Sequence, residues 1–405
     1  MSEFIAQHPI LITSIIKVVV LLALFMTAVA YLTWFERKVV AHIQSRWGPY
    51  RAGPHGLLQP LADGVKFLMK EDPTPAGVDR FVYFLAPFLA LSLALCGVAL
   101  IPFGPHDVTI LGQRTHLGVA DLSIGLLFLF ALTSLGVYGV ALGGWSSNSK
   151  YPLLGGLRSS AQMVSYELAL TLSVVGVVLA AGTFNLQEII GAQKGSILNW
   201  YIFSLPFPQI VGFFIFFTAA IAETNRLPFD LAEAETELVA GFHTEYSSFK
   251  FAMFFIAEYA SMVTASLVAS LLFLGGWNSP FPQTPMFAWT HYLPSALLAA
   301  GGLYLILDGI RYETVAGKIV LPVLGLIALG VAGVFALDGV RQVIQGPFWF
   351  VSKAFFFLFF YVWARGTLPR FRYDQLMAFG WKLLFPLALA NLIVTSFVML
   401  LKDLR

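Results

Sequence analysis

The chain has 405 residues, of which 58% are hydrophobic, 15% aromatic and only 11% charged, whereas soluble domains carry roughly 25% charged residues. This is the composition of a polytopic membrane protein, and 24 basic against 22 acidic residues exclude nucleic acid, whose backbone demands a strongly basic face. The single cysteine, Cys96, excludes a disulfide framework and any four-thiolate iron–sulfur or zinc site within the chain, and the seven histidines do not pair on the apolar runs as axial haem ligands would.

Any redox cofactor is therefore expected in a partner. The N-terminus, MSEFIAQHPI, lacks a basic n-region and leads into an apolar run too long for a signal peptide, so it reads as a retained first span. Runs able to cross about 30 Å of hydrocarbon, which takes roughly 20 residues, fall near 10–34, 81–101, 118–142, 161–183, 207–222, 249–276, 293–308, 319–337, 348–364 and 380–401. The expected fold is all-α, a single membrane domain of about ten transmembrane helices. Lys and Arg crowd the loops after the odd-numbered spans and are sparse in the others, which puts those loops on the cytoplasmic side and both termini outside. Lys17, inside the first span, is close enough to its end to snorkel to the interface.

The first loop, 36–80, is too long for a simple connector. Its centre, RWGPYRAGPHG, is broken by Gly and Pro, and after the break Leu57, Leu58, Leu61, Val65 and Leu68 recur at near-helical spacing. This predicts an amphipathic helix, lying at the interface or against a partner subunit, in which Asp63 and Lys66 stand one turn apart. The third loop, GGWSSNSKYPLLGGLRSSAQ, reads as a turn. Glu167 and Glu258 lie inside the fourth and sixth runs, and intramembrane carboxylates face protein or a watery cavity and mark ion paths. A protonated structural glutamate bonded to a neighbouring helix would look the same in sequence.

Between the fifth and sixth runs comes ETNRLPFDLAEAETELVAGFHTE, 223–245, with Glu223, Asp230, Glu233, Glu235, Glu237 and Glu245 against one basic residue, Arg226. Pro228 disfavours helix at Leu227, so the span should end near Asn225. A helix restarting at Asp230 would put Asp230, Glu233 and Glu237 on one face, with Glu233 and Glu237 repelling each other. Such carboxylates need either basic residues from the first loop laid against them or bound protons, and both suit proton handling. A solvated acidic loop is the bland alternative, but the interleaved Leu231, Leu238, Val239 and Phe242 imply a half-buried element. The last basic loop, RGTLPRFRYDQLMAFGWK, carries Arg365, Arg370 and Arg372, which the topology bias alone would explain.

ERKVVAHIQSRWGPYRAGPHGLLQPLADGVKFLMKED, GGWSSNSKYPLLGGLRSSAQMVSYEL, the stretch from AETNRLPFDLAEAETELV to FFIAEYA, and RGTLPRFRYDQLMAFGWKLLFPL resemble the signature stretches of one family. It is the H-subunit family of proton-pumping NADH:quinone oxidoreductase (respiratory complex I), which includes NADH dehydrogenase subunit 1 of mitochondria. The resemblance implies a bacterial inner-membrane subunit at the membrane end of the quinone chamber, with quinone as substrate and no redox cofactor of its own. Its partners would be the other membrane subunits and a peripheral arm that holds FMN and iron–sulfur clusters. The first span, the amphipathic helix and the sixth span would frame the quinone entrance. Arg226, Asp230, Glu233, Glu235, Glu237 and Glu245 would belong to the coupling loop at 223–248, and Glu167, Glu223 and Glu258 to the path passing protons onward. Arg37, Asp63, Lys66, Arg365 and Arg370 would lie near the chamber.

One segment departs from that pattern. The family usually has eight spans, and here 278–346 adds two, read as a lipid-facing addition or a lateral contact, whose removal should leave quinone chemistry in place. A secondary transporter would need a second copy of the acidic loop, which is absent. The related anchor of an energy-converting hydrogenase fits the fullness of the first-loop and 365–374 motifs less well.

Overall fold

The apolar runs form helices, and their order in the chain is as expected. The computed structural model describes residues 9–105, 108–110, 113–115, 117–231 and 239–404. Among these, α1 (Pro9–Ile43) precedes α2 (Gln59–Met69), and α3 (Arg80–Ala99) leads through a small hairpin, β1 (Val108–Ile110) with β2 (Gln113–Thr115), to α4 (Gly125–Ser146). Then come α5 (Lys150–Ala181), the short α6 (Leu186–Ala192), α7 (Ile210–Glu223) and α8 (Ser248–Phe273). The hairpin α9 (Leu293–Arg311) and α10 (Val315–Ala336) is followed by α11 (Asp338–Thr367), α12 (Tyr373–Phe379) and α13 (Phe385–Asp403), the last two continuous through a π-helical turn at Gly380–Leu384. Among the described residues nine helices are long and apolar enough to cross a membrane, counting α12 to α13 as one, and α7 is a shorter apolar tenth. The expected all-α, ten-run architecture stands.

α8 is the axle of the bundle. It packs against α1, α2, α3, α7 and α11 and is the most enclosed of the long helices. Lipid offers no hydrophobic drive for helices to associate, so close packing must come from small side chains. Ala257, Ala260, Thr264, Ser266, Ala269 and Ser270 are buried along α8, and the Ser266 and Ser270 hydroxyls donate to carbonyls four residues back.

The third loop is shorter than the sequence suggests. α5 begins at Lys150, so YPLLGGLRSSAQ is helical. Its glycines serve close approach instead of turning the chain. A Cβ on Gly144 would come 2.5 Å from the Pro152 carbonyl oxygen, and one on Gly155 2.6 Å from the Phe242 backbone nitrogen. The loop before α8 is thereby seated directly on α5.

α7 spans only about 21 Å at ~1.5 Å per residue, short of the ~30 Å hydrocarbon thickness. It is preceded by a non-helical lead, Trp200 to Gln209, in which Trp200, Tyr201, Ile202 and Gln209 are buried while Phe203 and Leu205 are exposed. Irregular backbone at membrane depth is tolerated only inside protein. Here Gln209 N donates to Tyr201 O (2.9 Å), and the Gln209 side chain bonds Thr395 and Asn391 of α13, each at 3.0 Å. Gly176 of α5 leaves the room, since a Cβ there would sit 2.6 Å from Gln209 Oε1.

At the same end, Lys353 of α11 is buried and donates to the carbonyls of Leu274, Gly276 and Asn278 at 2.6–2.8 Å, closing the C-terminus of α8. A cation there complements the orphan carbonyls of the helix end.

Candidate functional site

At the opposite end of the bundle, the face bearing the basic loops, buried charges converge. α1 ends its apolar run with Phe35, and the next residue, Glu36, is 5% exposed, which requires compensation in the protein. Arg226, just past the end of α7 and 6% exposed, supplies it: its Nη1 lies 3.5 Å from Glu36 Oε1 and its Nε 2.6 Å from Glu258 Oε1 on α8. The guanidinium also lies over the Tyr259 ring at 4.0 Å. Arg365 from the end of α11 is ion-paired to the same Glu36 oxygen. Four elements far apart in sequence thus meet in one alternating cluster of two carboxylates and two guanidinia.

Beside it, Asp230 is 9% exposed and accepts from Arg370 Nη2 at 2.9 Å. The basic partners seen at Glu36, Glu258 and Asp230 are thus Arg226, Arg365 and Arg370. Within the first loop, Arg37 Nη1 pairs with Asp63 Oδ2 at 2.7 Å, while the expected Lys66 partner is farther off at 3.9 Å. α2 forms as an amphipathic helix with none of its residues buried.

Glu223, at the end of α7, and Glu167, on α5, lie close enough for their like charges to act on each other, and Ser134 of α4 donates to Glu167. Glu223 and Glu258 share a cavity of about 120 Å³ with Thr133, Asn225, His243 and Thr264. Roughly 10–15 Å³ of such volume holds one water, so this cavity has room for several. Glu245 belongs to a different neighbourhood. Its carbonyl accepts from Tyr83 (2.7 Å), whose ring stacks on Tyr246 at 4.3 Å, and burial pushes the Tyr246 hydroxyl up to about 12. Glu233, Glu235 and Glu237, with any helix restarting at Asp230, lie outside the described residues.

On the lipid side of the charged cluster, an apolar groove of about 710 Å³ runs between α1, α8 and α11, from Ile16 and Lys17 up to Trp34 and Phe35. Lys17 lines it, and its upper end lies one residue from Glu36.

Sequence reasoning missed Glu36 and His243. Glu36 was legible only as a loop boundary, although an acid abutting an apolar span is itself a signal. His243 lies within the acidic loop that the sequence singles out but draws no attention among its carboxylates.

The family model described as NADH dehydrogenase matches residues 16–396. The chain belongs to the NADH dehydrogenase family. Within this family it is similar to the NADH-quinone oxidoreductase H-subunit 1 of Solibacter usitatus, 54% identical over 95% of this chain and 96% of the relative. It is also similar to the H-subunit 2 of Koribacter versatilis, 50% identical over 97% of this chain and 98% of the relative, and to the H-subunit of Thermomicrobium roseum at 45%, over 96% and 97%. Coverage that complete in both directions means that these family members match the chain in length, so added length is not peculiar to it. It is a multi-pass membrane member of the family.

Proposed function

We propose that this chain is the subunit of a proton-translocating NADH:quinone oxidoreductase that forms much of the quinone chamber and couples quinone reduction to proton movement. The observation that carries the reading is the juxtaposition of the apolar groove with the Glu36–Arg226–Glu258–Arg365 cluster, in which Glu36 and Arg226 are buried. A quinone has an apolar tail and a polar ring, and ligand sites of that kind combine apolar walls with a few converging polar groups. The tail fits the groove between α1, α8 and α11, and the ring is delivered towards the charged end.

Reduction of a quinone to a quinol takes up two electrons and two protons. The electrons come from a partner arm carrying FMN and iron–sulfur clusters, with NADH as the ultimate donor. The protons are within the chemistry of this chain. Removing one negative charge from the Glu36–Arg226–Glu258 group frees Arg226 to favour the other carboxylate, so a proton or a charged intermediate at one end is felt at the other. Glu258 shares its cavity with Glu223, and Glu223 couples to Glu167, which gives a sequence of carboxylates leading away from the chamber across α8, α7 and α5. Asp230, with Arg370, sits at the start of the coupling loop that contains Glu233, Glu235, Glu237 and Glu245. The subunit acts in a bacterial inner membrane with both termini on the periplasmic side, assembled with other membrane subunits and the peripheral arm.

Photo-crosslinking of a quinone analogue to the purified complex, followed by peptide mapping, tests the chamber. Labelling in α1, α2 or α8 that excess quinone competes away supports it. No competed labelling, in a complex that still reduces a water-soluble acceptor, sinks it in favour of a hydrogenase-type anchor. The coupling role is tested separately by Glu235→Gln, which should impair quinone-linked turnover in an assembled complex. Full reductase activity with undiminished pumping would count against it.

A further inference from the structure

The two added helices are not a bystander. α9 and α10 form a tight antiparallel pair in which a Cβ on Gly302 would come 2.8 Å from the Gly325 carbonyl oxygen. Leu303, Tyr304 and Leu307 on α9 and Leu326 and Ile327 on α10 are exposed, which suits lipid. At the basic end, however, the pair reaches the first loop, where His55 stands at φ 52° between Gly53 (φ 73°) and Gly56 (φ 75°). Left-handed backbone at a residue with a side chain persists only when its surroundings hold it there.

Three groups of His55 are held. Its N–H donates to the Tyr312 hydroxyl at 3.0 Å, its ring Nε2–H to Asp308 Oδ2 at 2.6 Å, and its carbonyl accepts from Trp34 Nε1 at 3.3 Å. Two of the three come from the added segment. Tyr312 further stacks on Tyr50, their ring centroids 6.2 Å apart. The Tyr312 ring is itself fixed, being buried against Gly317, where any Cβ would overlap it. Four residues beyond His55, α2 begins, and α2 packs on α1 and α8, two of the three helices that wall the apolar groove.

We propose that the α9–α10 pair is a strut that fixes the 49–58 turn and through it the placement of α2 at the mouth of the groove, with Asp308 and Tyr312 as positioning residues for quinone entry. This rests on the quinone reading above and replaces the expectation that the segment is dispensable. Asp308 and Tyr312 touch no substrate and act through His55.

The test uses the intact purified complex with Asp308→Ala/Tyr312→Phe, Asp308→Asn and, as a lipid-side control, Leu307→Ala. Amide hydrogen exchange across 49–58 should rise about tenfold or more in the double variant, as expected for a segment that loses its tertiary anchors. KM for a quinone analogue should rise about threefold or more with kcat within about twofold, the pattern of lost binding without lost chemistry. Asp308→Asn, which keeps an acceptor for His55, should restore most of both, and Leu307→Ala should change neither. Tyr312→Phe removes a single hydroxyl and serves as the probe should the double variant fail to assemble. Unchanged exchange in the double variant overturns the strut. Raised exchange with an unchanged KM, in a complex whose quinone site is labelled as above, overturns the link to quinone entry. Raised exchange with an unchanged KM and no labelling would instead locate the failure in the quinone reading.

Discussion

Arg226 Nε lies 2.6 Å from Glu258 Oε1, and the same guanidinium reaches Glu36 from its other side. A single cation thus ties the end of α1 to the middle of the axle helix. Arg226→Gln removes the cation that Glu36 and Glu258 share and leaves Arg365 beside Glu36, and removing one partner of a buried ion pair costs roughly 3–5 kcal/mol. The expected outcome is an assembled complex with quinone-linked turnover lowered about tenfold or more. Arg226→Lys should restore only part, because a point charge cannot serve two carboxylates and lie flat on Tyr259. Steady-state NADH:quinone activity, normalised to NADH oxidation by a water-soluble acceptor, checks both.

Glu36→Gln removes the charge that Arg226 and Arg365 share. Arg226 would then keep Glu258 but lose its tie to α1, and quinone-linked turnover should fall by about an order of magnitude while electron entry from NADH is unchanged. Full turnover in this variant would show that Glu36 is only a structural counter-ion.

Lys353→Met tests the other end of the bundle. Its ammonium satisfies three carbonyls at the end of α8, and each hydrogen bond to a charged group is worth roughly 1.5–3 kcal/mol. The variant should lower the half-inactivation temperature of the detergent-solubilised complex by several degrees or more, with little change in KM for quinone below it.

Alkaline stability should report on Tyr246. Burial holds its hydroxyl at about 12 against an ordinary value of 10.0. The folded form keeps the proton that the unfolded chain releases above pH ~10, so its contribution is fully present below that value. It is lost as pH rises through about 12. Tyr246→Phe should flatten the fall in stability across this window, as followed by unfolding midpoints between pH 9 and 12.

Gly155→Val places side-chain atoms against the backbone of Gly241 and Phe242, which cannot yield as a flexible side chain would. The prediction is displacement of the 241–246 segment, seen as increased proteolysis there, and a loss of turnover. Gly136→Ala, where a Cβ meets nothing within 4 Å, is the matched control.

The spans, the basic face and α2 could be read from the sequence because each rests on local periodicity or composition. The acids at Glu167, Glu223, Asp230 and Glu258 stood out for the same reason, as charges in apolar surroundings. What could not be read was their pairing. Arg226 and Glu36 are 190 residues apart, and Asp230 and Arg370 are 140 apart. Their meeting depends on how α1, α8 and α11 cross, which no local signal encodes. The glycines of the third loop misled for a related reason. A Gly-Gly pair is the same word for a turn and for a point where two helices touch, and only the partner helix distinguishes them.

The lead into α7 carries a consequence for how the protein is made. Helices emerging from the ribosome enter the membrane one by one, but the Trp200–Gln209 stretch has only scattered backbone bonds, such as Ser204 N to Trp200 O and Gln209 N to Tyr201 O, in place of the full ladder that lets a helix rest in lipid alone. Two bonding partners of Gln209, Asn391 and Thr395, belong to α13, synthesised 182 and 186 residues later. This span is therefore completed only after α13 has been translated, and until then it needs shelter from lipid. Truncations that remove α13 should be cleared by membrane proteases before any partner subunit can bind.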